Sequence, residues 1–285
     1  MKTNKEGGRT VGSALDDLII RLEKHSDSAS LDAQEVLARV MKRPRSWVMA
    51  HLEALLTPRP AAALETLVNR LEGGEPLPYV LGRQEFFGLE FEVTPDVLIP
   101  RPETELLVEH AIGWLHAHPD FRNVADVGTG SGCIGIALAV NISDLQVMGS
   151  DISPVALKMA RRNAVKNEVG QRMKFFCCNL FPPETEYNLI VGNLPYIPTK
   201  TLHKLPIYGR EPTNALDGGP DGLQLIRALM NAAPDRLVPG GLLLMEIEAS
   251  EGTAALSLAY DSFAEAEIYL HKDLAGNDRI LEVQI

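Results

Sequence analysis

Asn193-Leu194-Pro195-Tyr196 follows the apolar run Leu189-Ile190-Val191-Gly192, and its residue types can hold a planar amino group. The run reads as a buried parallel strand. That puts the tetrapeptide at a strand's carboxyl end, where open α/β sheets bind ligands. Asn193 supplies a side-chain carbonyl and Leu194 a backbone carbonyl, while Pro195 restricts Leu194 to extended conformations and helps fix where that carbonyl points. Tyr196 adds a flat face. Two acceptors and a ring suit an NH2 group, whether on an amide or an amino-purine. A strand followed by an X-Pro turn explains the tetrapeptide about equally well, so the choice rests on residues upstream.

Those residues are Gly128-Thr129-Gly130-Ser131-Gly132, after the strand Val124–Val127 and before a helix at Cys133–Val140. Glycines let the backbone approach a ligand closely, and a helix start offers free N–H groups. The spacing is G-x-G-x-G rather than G-x-G-x-x-G, with Asp126 two residues ahead of the first glycine. No Gly-Lys-Ser/Thr follows, which excludes a nucleotide triphosphate loop of that type. Asp151, ending the next strand, is placed to accept both hydroxyls of a ribose. Nucleoside binding is therefore the expectation. The amino-group clamp at strand four then favours methyl transfer over hydride transfer, because a dehydrogenase has no need of it there.

The elements that must carry these residues are legible from pattern. From Asn123 strands and helices alternate, which implies an α/β fold with a mainly parallel sheet covered on both faces, ending in an antiparallel pair, Glu265–His271 with Arg279–Ile285. Another strand is expected at Gly241–Glu246, after a Pro239-Gly240-Gly241 turn. Residues 13–71 read as helical throughout, with Ser30 placed to cap the second helix. A Pro-rich joint with a hairpin at Gly88 separates the halves. The expected domains are a helical bundle over 1–74, a β-hairpin linker over 75–103 and a catalytic domain over 104–285. Hydrophobic residues make up 45% and charged residues 23%, and Lys+Arg 27 against Asp+Glu 38 leaves a net charge of −11. An extended nucleic-acid surface is not expected on such a chain, nor is a membrane span. The basic cluster Arg39, Lys42, Arg43 and Arg45 reads as a solvated helix end. Cys133, Cys177 and Cys178 form no CxxC pattern, so the expectation is buried reduced thiols of a cytoplasmic protein and no metal site.

Asp126–Gly132 with Asp151 resembles the class I S-adenosylmethionine-dependent methyltransferases, and Asn193–Tyr196 is similar to their Asn-Pro-Pro-Tyr motif. Three longer stretches resemble the HemK/PrmC family: Glu75–Gly88, Val97–Glu105 and Glu211–Leu223. The closing Asp273–Arg279 fits as well. The resemblance implies a Rossmann-like methyltransferase domain using S-adenosyl-L-methionine, and peptide-chain release factors as partners, methylated on the glutamine amide of their Gly-Gly-Gln loop. It implies Asp126, Gly128–Gly132, Asp151, Asn179, Leu180 and Asn193 around the cofactor. Asn193, Leu194, Pro195 and Tyr196 would do the chemistry and hold the substrate, with Arg101 and Glu103 orienting the incoming loop. Three positions depart from the family pattern. Leu194 replaces its first proline, Asn179-Leu180 its Asp-Trp, and Glu246-Ile247-Glu248 carries a carboxylate where it tends to have Gly. Asn-Leu-Pro-Tyr is also the spelling of ribosomal RNA dimethyladenosine transferases, which makes adenine-N6 methylation of RNA or DNA the alternative.

Overall fold

A computed structural model describes residues 9–183 and 185–285, which separate into two compact units meeting in sequence at Gly82. The first is helical: α1 (Val11–Leu22), α2 (Ala29–Met41), α3 (Arg45–Ala50), α4 (Pro58–Glu72) and α5 (Leu77–Leu81). Thr10 and Ser13 form a reciprocal capping box that starts α1. Ser30 lies inside α2 instead of capping it, because Ser28 occupies the N-cap position. Leu18, Val36, Leu37, Leu64 and Val68 bury their side chains completely against one another's helices. Across the solvated side, Arg21 bridges α1 to Glu65 and Glu72 of α4. In the basic cluster, Arg39 donates to the Leu81 carbonyl at 3.1 Å, Arg45 pairs with Glu35, and Arg43 lies over the Trp47 ring.

The second unit opens with a hairpin, β1 (Arg83–Phe86) and β2 (Leu89–Glu92), closed by Phe87 and Gly88, both at positive φ, as a two-residue turn demands. Then come α6 (Thr104–Ala117), β3 (Asn123–Val127), α7 (Cys133–Asn141), β4 (Gln146–Asp151), α8 (Pro154–Lys166), β5 (Met173–Cys177) and β6 (Tyr187–Gly192). After α9 (Thr199–Leu202) and α10 (Gln224–Ala232) follow β7 (Leu237–Glu246), α11 (Gly252–Ser262), β8 (Glu267–Lys272) and β9 (Asp278–Gln284). The sheet order is β5-β4-β3-β6-β7-β9-β8, parallel except for β9, which runs against both its neighbours. Strand order reverses between β3 and β6, so a crevice opens beyond their carboxyl ends.

Two local features differ from the sequence expectation. The Pro239-Gly240-Gly241 segment does not precede β7 but lies within it, absorbed as a bulge where pairing jumps from Tyr187↔Leu237 to Leu189↔Leu242. Cys177 is exposed and the next residue, Cys178, half-buried because β5 is an edge strand; Cys133, at the start of α7, is half-buried against the core; all three thiols are free. None of the described helices is long and apolar enough to cross a membrane.

Candidate active site

The glycine turn leaves β3 through Gly128 at φ +71°, Gly130 at +54° and Gly132 at +85°. A Cβ on Gly128 would meet Leu194 Cδ2 at 2.8 Å, and one on Gly132 would meet Ile136 Cδ1 at 2.8 Å and Ala160 Cβ at 3.2 Å. The first glycine thus admits the Asn193–Tyr196 segment against the turn, and the third admits α8 against α7. Leu194 is buried here, so its side chain fills space beside Gly128 while Pro195 still restrains its backbone.

Asp126 lies wholly buried beneath the turn. Its Oδ2 accepts from the Thr129 hydroxyl at 2.6 Å and the Gly135 N–H at 3.0 Å, and Oδ1 has no partner among the described residues. Burial pushes its pKa up to about 6, against the pull of those two donors. Thr129 and Ser131 are buried with it. Asp126, Thr129, Ser131 and Gly132 therefore build the turn from behind. The cleft in front is lined by Gly128, Gly130, Asp151, Asn179, Leu180 and Asn193. Asp151 takes one backbone N–H on each oxygen, from Gly130 at 3.0 Å and Ser153 at 2.8 Å, and burial raises its pKa. Each oxygen keeps a lone pair for a ligand. The Ser150 hydroxyl donates to the Leu180 carbonyl, and Leu180 sits at φ +61°.

A second cavity adjoins the first at the tetrapeptide and is lined also by Arg101, Tyr196, Ile197, Ile207 and Leu216. Both cavities share Leu98, Asn193, Leu194, Pro195 and Ala215, so the clamp residues form their common wall. Two family stretches far apart in sequence meet here. Glu211, itself buried, accepts from Arg101 Nη2 at 2.6 Å and from the Ile99 N–H at 3.1 Å. The following loop runs along the tetrapeptide, with the Gly218 N–H donating to the Ile197 carbonyl and the Ile197 N–H to the Leu216 carbonyl. A Cβ on Gly218 would fall 2.7 Å from Tyr196 Cα, which only glycine avoids.

Glu103 is exposed at the start of α6 and lines neither cavity. Its neighbour Thr104, which sequence reading passed over, is buried and accepts from Asn193 Nδ2 at 3.0 Å. Glu246, within a stretch that departs from the family pattern, was given no role by sequence. Buried at the carboxyl end of β7, it accepts from Asn193 Nδ2 at 3.0 Å, from the Thr104 hydroxyl at 2.6 Å and from the Tyr196 hydroxyl at 3.4 Å. Burial raises the Glu246 pKa, opposed by the Thr104 hydroxyl and the charge of Arg279. Burial, with Glu246's charge beside it, also pushes the Tyr196 phenol up. An acid ending an otherwise apolar strand beside the clamp strand was the available signal. Glu248, the family departure, acts locally, capping the short turn at 249–251 by accepting from the Ser250 N–H.

The PrmC N-terminal domain family matches residues 13–82, and the methyltransferase small domain family matches residues 102–205. A release factor glutamine methyltransferase of Geobacter sulfurreducens is 40% identical over 263 residues, 91% of this chain and 90% of that one. The protein of the same name from Moorella thermoacetica is 39% identical over 95% of this chain and 96% of its own. Among solved structures, the hMettl16 catalytic domain in complex with MAT2A 3'UTR hairpin 1 shares the fold, with a TM-score of 0.54, 15% identity, and coverage of 81% of this chain and 82% of that one. With an α/β sheet of methyltransferase type and near-complete coverage at such identity, the chain belongs to the release factor glutamine methyltransferase family, HemK/PrmC.

Proposed function

We propose that this enzyme transfers a methyl group from S-adenosyl-L-methionine to the side-chain amide nitrogen of the glutamine in the Gly-Gly-Gln loop of peptide-chain release factors. One observation carries the reading. Asn193, Leu194 and Pro195 line two adjoining cavities, so a donor in one and a carboxamide in the other would meet at the clamp. The first cavity suits a nucleoside: Gly128 and Gly130 let the backbone come close, and Asp151 has acceptor capacity for ribose hydroxyls. Asn179 there accepts from an amino group, less strongly than a carboxylate would. S-adenosyl-L-methionine, when bound, supplies a methyl group on a sulfonium.

An amide nitrogen is a poor nucleophile because its lone pair is delocalised into the carbonyl. Asn193 Oδ1 and the Leu194 carbonyl would accept both N–H bonds of the glutamine amide and stabilise the positive charge that grows on nitrogen during attack. This is preorganised electrostatics of the oxyanion-hole kind with the sign reversed. Holding the nitrogen in line for transfer supplies much of the remaining rate. Tyr196 packs on the amide plane, and Arg101 faces the cavity through which the loop would enter. The helical unit contributes recognition of the release factor, and such a substrate places the enzyme in the cytoplasm.

Incubating the chain with release factor and cofactor, then weighing the Gly-Gly-Gln peptide, tests this directly. The expected product carries one added methyl. Asn193→Ala should leave cofactor binding intact and lower kcat by about 10²–10³, the loss of one oxyanion-hole partner. Methyl found in ribosomal RNA and none in release factor would assign the enzyme to adenine instead.

A further inference from the structure

With the Glu246 carboxyl ionised, the hydrogen bonds around it have one consistent arrangement. An ionised carboxylate only accepts, so the Thr104 hydroxyl at 2.6 Å must donate its single proton to Glu246 Oε2. The Thr104 oxygen is then left to accept, and its neighbour at 3.0 Å is the Asn193 amide. That amide must therefore present its NH2 group to Thr104 and to Glu246 Oε2, also at 3.0 Å. Both N–H bonds are spent there. The carbonyl oxygen faces the opposite way and is the polar atom Asn193 offers to the cavities it lines.

This matters because the two ends of an asparagine amide are nearly the same size, and sterics alone do not choose between them. Turned around, Asn193 would meet a substrate NH2 group with its own NH2, donor against donor. Among the described residues, the ionised Glu246 forbids that orientation, directly through Oε2 and by way of the Thr104 hydroxyl. Arg279 on β9, Glu103 before α6 and the Tyr196 hydroxyl also act on Glu246, and Cys133 at the start of α7 feels its charge. Tyr196, donating to Oε1, is fixed by the same carboxylate.

We propose that Glu246 is a positioning residue for methyl transfer, fixing the Asn193 amide with its carbonyl toward the substrate's carboxamide. It rests on the reading of Asn193 as the acceptor for a glutamine NH2 group. Thr104 serves as relay, and neither residue touches the substrate.

The decisive experiment exchanges donor for acceptor without changing shape. In Glu246→Gln the new NH2 group can donate to Asn193 Oδ1 and turn the amide around. The expected kcat falls by about 10²-fold, with cofactor affinity held within about threefold. In the double variant Asn193→Asp, Glu246→Gln, the new carboxylate accepts from the introduced amide with one oxygen and offers the other to the substrate. It should recover at least about tenfold in kcat over Glu246→Gln alone, a coupling of the size seen between contacting residues. A residue that merely packs predicts no such rescue. Glu246→Gln turning over within about threefold of the parent chain, or a double variant no faster than the slower single one, overturns the proposal. Should Glu246→Gln fail to melt cooperatively, Glu246→Leu removes both the direct acceptor and the partner of Thr104: kcat should drop at least about tenfold with cofactor affinity held, and an unchanged kcat overturns the proposal instead. A parent chain that methylates no release factor glutamine removes the underlying reading, a result these ratios cannot mimic.

Discussion

Asp126 shows how a residue prominent in a ligand-binding motif can serve the fold first. Its carboxyl carries two hydrogen bonds that tie the glycine turn to the start of α7, in a place no water reaches. Because burial raises its pKa from the ordinary 3.8 to about 6, the folded chain holds a proton that the unfolded chain has already released. Below 3.8 the group is neutral in both states and has no pH-linked effect. As pH rises from 3.8 to about 6 folding stability falls, and above that the penalty is constant. At about 1.36 kcal/mol per pH unit the loss is about 3 kcal/mol. Asp126→Asn, which keeps an acceptor for Thr129 and Gly135, should lack this slope. Urea unfolding of both chains across that range checks it, and parallel pH curves would rule it out.

At the level of elements, the clamp is held by segments that converge from far along the chain. Glu211 joins the Pro-rich approach to α6 with the loop that runs beside Tyr196, through one charged pair and one backbone N–H. Glu211→Ala strands both partners. Hydrogen bonds to charged groups contribute about 1.5–3 kcal/mol each, so the melting temperature of this unit should drop by roughly 5 °C or more. Calorimetry on the variant measures this, and an unchanged melting temperature would mean that the loop is held by other contacts. What sequence could reveal follows the same division. Gly128–Gly132 and Asn193–Tyr196 were readable because their chemistry lies in consecutive residues beside an apolar run. Thr104 and Glu246 were not, since they lie 142 residues apart and only the strand order brings them together. Glu103 attracted attention by its charge, yet the buried hydroxyl beside it is the group that reaches the clamp. In β7, Pro239-Gly240-Gly241 carried every mark of a turn, but the sheet accommodates it as a bulge.

On the scale of the whole molecule, each unit has its own core: Leu18, Leu37 and Leu64 in the helical one, Leu107, Leu138 and Leu244 among the helices and strands of the other. We therefore expect residues 83–285 alone to fold, to bind S-adenosyl-L-methionine within about threefold of the full chain, and to unfold in a single cooperative transition. If the helices recognise the release factor, KM for that protein should rise by about tenfold or more in the shortened chain while kcat changes little. Equal KM values would remove the helices from substrate recognition.

β9 follows every other strand of this sheet in sequence yet is an interior member, wedged between β7 and β8. A nonsense codon just before Asp278 would therefore do more than shorten a tail. It would bare the outer rim of the strand that carries Glu246 and leave β8 with nothing to pair against. Ribosomal synthesis delivers that keystone after both of its neighbours, so a nascent chain lacks a finished sheet until β9 arrives.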